Sequence, residues 1–411
     1  MKPVPRFAGW TVTWVAFTVA VFGWGIGFYG PGVFLQTLHQ TKGWSIGTIS
    51  AAITAHFLIG AAIVAFLPEL HRMFGMANAT IAGAVLTALG IFSWSSAVAP
   101  KHLFFAAIVS GSGWAMTSGA AINAMIAPWF DQDRPKALSH AFNGASIGGV
   151  LFTPLLVWLI AGIGFQPAAF ALGFAMVLIV GLLSHQWLRH GPADLGVATD
   201  GKPLASTAKP ERDAVRLPRW TLIQTKHFIT VSAAFALALF AQVGLLAHLL
   251  ARLSPELGST GAAAALSLTT IAAVAGRYLL GWLIGSHDRR YAACVNFLVQ
   301  SFGVGLLCIG TGIPILLVGC VLFGLGVGNV AALPALIAQK EFRAADVGTV
   351  VALVIAINQA VFALAPAILG SLRDISSNYT LSFGIVAAIQ VAAALVVLAG
   401  RPAVSGPQGH S

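Results

Sequence analysis

The segment ALSHAFNGASIGGVLFTPLLVWLIAGIGFQPAAFALGFAMVLIVGLLSHQWL, residues 137–188, contains no Asp, Glu, Lys or Arg. A helix needs about 20 apolar residues to cross ~30 Å of hydrocarbon, so this segment is long enough for two crossings. The sequence AGIGFQP, residues 161–167, interrupts it with Gly and Pro. A second charge-free segment, residues 291–339, is interrupted in the same way by GTGIP. Each segment therefore predicts a pair of membrane helices joined by a tight turn.

The composition of the whole chain also indicates a membrane protein. Of its 411 residues, 58% are hydrophobic and only 8% are charged, whereas about a quarter of the residues of soluble domains are charged. The first apolar segment is too long and begins too near the N-terminus for a cleaved signal peptide. Long apolar segments, free of Asp, Glu, Lys and Arg except for Arg277, predict twelve membrane helices. They lie at 8–30, 46–67, 76–97, 103–127, 137–161, 166–188, 227–251, 259–284, 291–310, 314–338, 347–370 and 379–400.

The basic residues predict the orientation of the chain. If the N-terminus is cytoplasmic, 17 of the 22 Lys and Arg residues fall on that side, and four fall on the other: Lys42, Lys101, Arg252 and Arg373. Cytoplasmic loops of membrane proteins carry an excess of Lys and Arg. We therefore expect both termini in the cytoplasm. The same asymmetry accounts for the net charge of +10, so this charge does not indicate a nucleic-acid partner.

The chain divides into two halves with similar spacing of landmarks. In the first half GSG at 111–113 precedes Pro154 by 43 residues, and in the second GLG at 324–326 precedes Pro366 by 42. A shift of about 213 residues aligns the two halves, as in a parallel repeat of six helices. We therefore predict an all-α membrane protein with two pseudo-symmetric six-helix bundles. The predicted parts are bundles at 1–188 and 227–400, a cytoplasmic linker at 189–226 and a cytoplasmic tail at 401–411.

This organisation resembles the major facilitator superfamily. The family has a gate motif after helix 2, with a Gly, a Leu, an Asp-Arg pair and a further Gly. Here PELHRMFG has Pro68 in place of the first Gly, Arg72 in place of the Asp, and Gly75 at the end. The copy in the second half, GWLIGSHDRR, keeps Gly281 but has Gly285 in place of the Asp. Both copies differ from the family pattern, which puts the usual latch of the gate in doubt but leaves the predicted topology intact.

Three further segments resemble the bacterial monocarboxylate transporter and oxalate:formate antiporter branch of that family. They are FYGPGVFLQTLHQTKGWSIGTIS between helices 1 and 2, GPADLGVATDG after helix 6, and AGRYLLGWL in helix 8. The resemblance implies a monomeric carrier in a bacterial inner membrane that moves a small organic anion across the lipid bilayer by alternating access. It implies no cofactor and no enzymatic activity.

Arg277 stands alone in SLTTIAAVAGRYLLGWLIG, residues 267–285, and all twelve acidic residues fall in predicted loops or at helix ends. A charge in the membrane interior is costly, and Arg cannot lose its proton to avoid that cost. We interpret the missing partner as the carboxylate of the substrate, which the planar guanidinium can bind through two hydrogen bonds. The alternative is a structural arginine that extends to the cytoplasmic interface.

The relatives that handle oxalate pair this arginine with a lysine in helix 11. Helix 11 of this chain, VALVIAINQAVFALAPAILG, has no lysine, so the resemblance implies a monocarboxylate. Tyr29 occupies the position of a lysine in the animal carriers and is a candidate hydrogen-bond donor to the substrate. The other polar candidates for substrate binding lie within predicted helices: Asn358, Asn123, Asn143 and Gln242.

The animal carriers also have an Asp one turn before the arginine, and here that position is Ala273. His56 and His248 are the remaining candidates for carrying a proton, because histidine titrates near neutral pH. Either histidine is equally consistent with a packing role. Proton symport, anion exchange and uniport therefore all remain open.

Other functions receive less support from the residues. There is no nucleotide-binding Walker sequence, and the eleven histidines are scattered singly, so neither ATP-driven transport nor an enzyme site is indicated. Cys294, Cys308 and Cys320 have no metal-ligand spacing, and we expect no metal. The alternative function is a carrier of a neutral metabolite or drug, in which Arg277 is structural.

Overall fold

The computed structural model describes residues 7–201, 217–284 and 288–401. Eleven of the described helices are long and apolar enough to span a membrane. The longest, Lys226–Ile284, contains two spans because Gly258 breaks it with φ 68° and ψ 166°. The chain therefore has the twelve membrane helices that its composition predicts. We number them α1 to α12: Gly9–Lys42, Ile46–Ala65, Met76–Ser95, His102–Ile126, Arg134–Ile163, Phe165–Trp187, 226–257, 259–284, Arg289–Ile309, 313–341, 344–376 and Thr380–Ala399.

The largest difference from the predicted boundaries is in α1, which continues to Lys42 instead of ending near residue 30. Its middle, Gly23–Tyr29, is a π-helical segment. Pro31 follows in the first turn of the α-helix Gly30–Lys42, where a residue without an N–H is tolerated. The helix ends at Gly43, which has φ 67° and donates its N–H to the His39 carbonyl.

Three other helices are interrupted within the membrane. Ser118, with ψ 178°, breaks α4. Helix α10 consists of Ile313–Val330 and Leu333–Glu341, and α11 of Ala344–Phe362 and Ala365–Ser376. The breaks in α4 and α10 are about 213 residues apart, which matches the shift that aligns the two halves. Pro366 lies in the first turn of the second segment of α11, whereas Pro154 lies inside the continuous helix α5.

The loops define two faces of the molecule. The basic face carries the connections α2–α3, α4–α5, α6–α7, α8–α9 and α10–α11, and the opposite face carries the others. On the basic face the chain after α6 returns to the α4–α5 loop, where the Asp200 carboxylate accepts hydrogen bonds from the backbone N–H of Asp131 and Gln132. This contact fixes the start of the connection between the halves.

The two halves, α1–α6 and α7–α12, meet along a seam. Helix α2 packs against α11, α5 against α8, and α1 against α7. Hydrogen bonds cross the seam at the opposite face, where the Gly47 N–H donates to Asp374. They also cross deeper in the membrane, where the Ser267 hydroxyl donates to the Val150 carbonyl. The seam therefore brings polar groups of both halves together inside an apolar molecule.

Candidate functional site

Arg277 lies in this seam, on α8, about 10 Å along the helix from residue 284. Its Nη2 donates a hydrogen bond to the Ser146 hydroxyl on α5 of the other half. A Cβ added at Gly328 of α10 would lie 2.7 Å from Nε of Arg277, so the side chain crosses the surface of α10. Within the described ranges, no carboxylate lies within ion-pair distance of Arg277. The guanidinium thus has five N–H donors and one described acceptor.

Tyr29 lines the same part of the seam. A Cβ at Gly149 would lie 2.6 Å from Cε2 of Tyr29 and 2.8 Å from the Thr270 methyl group. Gly149 is one turn from Ser146 on α5, and Thr270 is two turns from Arg277 on α8. Tyr29 is buried, and its hydroxyl has no hydrogen bond to any residue that the structure describes. Tyr29 and Arg277 therefore lie in the same part of the seam.

The π-helical segment of α1 shapes the wall of this site. Gly25 packs directly against the Phe152 ring of α5, because a Cβ there would lie 2.5 Å from the ring. π-Helical turns occur frequently at functional sites. The segment ends at Tyr29, so its geometry sets the direction in which this side chain leaves the helix.

Aromatic side chains continue the wall across the seam. Phe28 lies 5.9 Å from Phe57 of α2, between ring centroids, and Phe57 lies 5.9 Å from Phe362 of α11. Phe28 also approaches Trp114 of α4 at 6.0 Å. The site thus has one cationic group and a hydroxyl next to an aromatic cluster contributed by both halves.

His56 is held within the first half. Its Nε2 lies 3.0 Å from the Gly27 carbonyl, and its Nδ1 lies 2.8 Å from the Ser110 hydroxyl. The Ser110 oxygen in turn accepts a hydrogen bond from Trp94 Nε1. A neutral ring that donates from Nε2 accepts at Nδ1. Both ring nitrogens are therefore occupied, and the arrangement fits the packing role as well as any proton-carrying role.

His248 lies in the seam near the opposite face. Its Nε2 is 3.1 Å from the Pro366 carbonyl and 3.5 Å from the Ser50 hydroxyl of the other half, and its Nδ1 is 3.3 Å from the Tyr379 hydroxyl. The side chain is completely buried. Of the two candidate histidines, His248 is the one that contacts both halves.

The predicted amide side chains occupy different environments. Asn123 donates to the Gly119 carbonyl of its own helix, at 2.8 Å. Asn143 is half-buried, and no described residue forms a hydrogen bond with it. Asn358 and Gln242 are buried, and the carbonyl oxygens of both amides have no hydrogen-bond partner among the described residues. These two are therefore the candidate amides that lie buried in the second half with an unpartnered carbonyl oxygen.

The first copy of the gate motif forms a short helix, Leu67–Phe74, on the basic face. Pro68 lies in its first turn, Arg72 is exposed, and Gly75 ends it with φ 79°. Burial lowers the pKa of His71 in this helix. In the second copy Gly281 belongs to α8, and Gly285 lies outside the described residues. Among the residues that the structure describes, no hydrogen bond or ion pair joins the Arg72 side chain to the second half.

A separate group of charges joins helix ends of the second half at the basic face. Arg290 is buried and binds both carboxylate oxygens of Glu341, at 2.6 and 2.8 Å. It also donates to Thr230 and to the Val397 carbonyl. Nearby, burial raises the pKa of Asp288, but hydrogen bonds from the Arg290 backbone and the Arg401 side chain lower it more, so the pKa lies below its usual value.

Ser146 and the seam residues Thr54 and Asp374 are not among the residues that the sequence patterns single out. Ser146 belongs to the glycine-rich sequence NGASIGG, residues 143–149, and small residues of this kind are typical of close helix packing. Its hydroxyl was the available signal, because a polar group in a membrane helix commonly bonds to another helix. Over the described ranges, no group of three His, Cys, Asp or Glu side chains is arranged to hold a metal ion.

Comparisons with known proteins agree with this architecture. The family model described as Major Facilitator Superfamily matches residues 14–366. Monocarboxylate transporter 13 of Rattus norvegicus is 27% identical over 337 residues, which cover 80% of this chain and 74% of that protein. Monocarboxylate transporter 11 of Homo sapiens is 24% identical over 399 residues, which cover 91% of this chain and 79% of that protein. MFS transporter asaE of Aspergillus flavus is 26% identical over 327 residues, which cover 77% of this chain and 69% of that protein.

The fold is similar to that of a solved transporter. The crystal structure of nucleoside transporter NupG aligns with a TM-score of 0.74 and 11% identity over 95% of this chain and 98% of that one. At this identity the likeness concerns the fold alone. With twelve helices in two repeated halves, and with a family model that matches most of its length, the chain belongs to the Major Facilitator Superfamily and is a transporter, not an enzyme.

Proposed function

We propose that this transporter carries a small organic monocarboxylate anion and that Arg277 binds the carboxylate. The observation that carries the proposal is a guanidinium in the seam with one described partner, the Ser146 hydroxyl, and no described carboxylate within reach. A cation without a counter-ion is costly inside a membrane protein. A bound carboxylate would supply that counter-ion through two charge-assisted hydrogen bonds.

The surroundings of Arg277 support an anion with one charge and an apolar part. Tyr29 offers a hydroxyl donor without a second charge, and the cluster of Phe28, Phe57 and Phe362 offers an apolar surface. Asn358 and Gln242 are candidates for a further polar group of the substrate, while Asn123 and Asn143 are weaker candidates. The names of the two monocarboxylate transporters among the relatives point to the same class of substrate.

The transport cycle follows from the position of the site between the halves. We propose that 1–188 and 227–400 move as two units joined by the linker 189–226. The anion neutralises Arg277, so the loaded site can be enclosed with a smaller desolvation cost than the bare cation. Proton symport and anion exchange both fit this cycle, and the position of His248 in the seam makes it the favoured proton site.

The proposal is tested with purified protein and a panel of monocarboxylates, dicarboxylates and the corresponding amides. A ligand that binds the folded state raises its melting temperature. We expect stabilisation by at least one monocarboxylate, none by its amide, and none in Arg277→Ala or Arg277→Lys. Arg252→Lys is the matched control, because Arg252 binds backbone carbonyls of Leu307 and Gly310 outside the site.

Two outcomes would contradict the proposal. If a monocarboxylate stabilised the wild type and a well-folded Arg277→Ala variant equally, Arg277 would have a structural role. Its hydrogen bond across the seam to Ser146 is consistent with that role. Stabilisation by neutral compounds only would favour the carrier of a neutral metabolite or drug. Uptake into proteoliposomes with and without an inward proton gradient then distinguishes symport, which depends on the gradient, from exchange, which depends on a trapped internal anion.

A further inference from the structure

Helices α2 and α11 make an unusually close contact across the seam at the opposite face. A Cβ added at Gly370 of α11 would lie 2.6 Å from the Cβ of Ser50 and 3.3 Å from the Cα of Gly47. Small residues allow helix backbones to approach in this way. The contact therefore brings backbone groups of one half within reach of side chains of the other.

The first of these contacts is at the start of α2. The first N–H groups of a helix have no partner within the helix. Ser45 satisfies one of them by accepting from the Thr48 N–H, at 3.2 Å. The Gly47 N–H instead donates to the Asp374 carboxylate at 2.7 Å. Asp374 is in α11, so the second half caps a helix of the first half. A carboxylate at a helix N-terminus is also favoured by the helix dipole.

The second contact is the reverse of the first. Helix α11 is interrupted after Phe362, and its outer segment begins at Ala365 with Pro366 in the first turn. The Ala367 N–H belongs to this new first turn and has no acceptor within the helix. It donates to the Thr54 hydroxyl of α2 at 3.0 Å. Here the first half caps a helix of the second half.

We propose that Asp374 and Thr54 form a reciprocal lock that holds the halves together at the opposite face. Each half supplies a side-chain acceptor for a backbone N–H in the first turn of a helix of the other half. Both hydrogen bonds exist only while α2 and α11 touch. When the halves separate at this face, the Gly47 and Ala367 N–H groups and the Asp374 carboxylate lose these partners and must be solvated. The lock therefore favours the conformation in which the halves are closed at this face. This inference does not depend on the identity of the substrate.

The test measures the separation of the halves at the opposite face by pulsed electron paramagnetic resonance. Spin labels are attached at Lys101→Cys and Thr311→Cys, which lie in exposed loops of different halves, in a Cys308→Ser background. The full chain in lipid nanodiscs is compared with Asp374→Ala and with Thr54→Val, which keeps the shape of the side chain but removes the acceptor. Thr54→Ser keeps the hydroxyl and is the conservative variant.

We expect the population with the longer label distance to rise roughly five-fold in each disrupting variant, as expected for a lost hydrogen bond, and to return to the wild-type value in Thr54→Ser. Two controls lose a similar group within the second half only. They are Glu256→Ala, which loses an ion pair to Arg252, and Thr269→Val, which loses a hydrogen bond to the Ala265 carbonyl.

Unchanged distance distributions in both Asp374→Ala and Thr54→Val would overturn the lock. An equal shift in the control variants would also overturn it, because the effect would then report general loosening. A variant that does not fold shows no cooperative thermal transition, and in that case the remaining single variant decides the question. The outcome is independent of the ligand screen, so the two proposals can fail separately.

Discussion

Arg277 and Ser146 show how one residue can be recognised in a sequence while its partner cannot. A lone arginine in an apolar helix is rare and costly, so it indicates a function by itself. A serine in a membrane helix is common, and most such hydroxyls bond to their own helix, as Ser112 does with the Ile108 carbonyl. The partnership of Ser146 with Arg277 depends on the packing of α5 against α8, which no local pattern encodes.

The Ser146 hydroxyl should contribute to substrate affinity through its contact with Arg277. Ser146→Ala removes the described acceptor that orients the Arg277 side chain, so the affinity for the stabilising monocarboxylate should fall by roughly ten-fold, as for a lost hydrogen bond to a charged group. Ser146→Thr keeps the hydroxyl and should bind nearly as the wild type does. Isothermal titration of the purified variants measures the dissociation constant, with Ser112→Ala as control. Wild-type affinity in Ser146→Ala would show that Arg277 is positioned without it.

A second residue-scale prediction concerns the buried pair of Arg290 and Glu341. Arg290 is only 1% exposed, and Glu341 occupies two of its guanidinium nitrogens. Glu341→Gln would leave a buried cation partly unpaired, at a cost of about 3–5 kcal/mol in stability. Thermal unfolding should show a clearly lower melting temperature for this variant. Glu69→Gln, at an exposed position, should leave the melting temperature unchanged. Equal melting temperatures of the two variants would show that the buried pair of Arg290 and Glu341 does not stabilise the fold.

At the scale of helices, hydropathy predicts the number of spans and most of their ends. The apolar segments are long, and charged residues bound most of them, so few alternatives fit. The end of α1 is the exception. Gly30 and Pro31 resemble a turn, yet the helix continues because a π-helical segment precedes them and because the polar residues Gln36 and Thr37 are buried by neighbouring helices. Tertiary packing, which the sequence pattern does not contain, decides that boundary.

Close contacts between helices show which glycines determine packing. Gly144 of α5 lies directly against the Phe17 carbonyl of α1, where an added Cβ would overlap the oxygen. Gly144→Ala should therefore force the two helices apart and lower the stability by about 1–3 kcal/mol. Gly181→Ala in α6 is the matched control, because no atom outside the adjacent backbone of its own helix lies within 4 Å of the added Cβ. Denaturation of both variants in mild detergent compares them, and equal stabilities would show that α1 and α5 can separate without cost.

At the scale of the whole molecule, the sequence predicts the repeat but not the way its two copies meet. The shift of about 213 residues appears both in the glycine and proline spacing and in the breaks of α4 and α10. The seam contacts of Thr54, Ser50 and Asp374 belong to one arrangement of the halves. An alternating-access carrier must adopt at least one other arrangement with the same sequence, so a sequence pattern cannot select between them.

The arrangement of the faces leads to a prediction of orientation. Arg72, Arg134 and Arg289 lie on the basic face together with both described ends of the chain, and the opposite face carries Lys42 and Lys101. The excess of positive charge should keep the basic face in the cytoplasm. In a Cys308→Ser background, a membrane-impermeant maleimide should label Lys42→Cys in intact cells. It should label Met73→Cys, which is 69% exposed on the basic face, only after the membrane is opened or in inside-out vesicles. The reverse labelling would mean that the whole molecule is inserted the other way, and the lock between α2 and α11 would then close the cytoplasmic entrance instead of the external one.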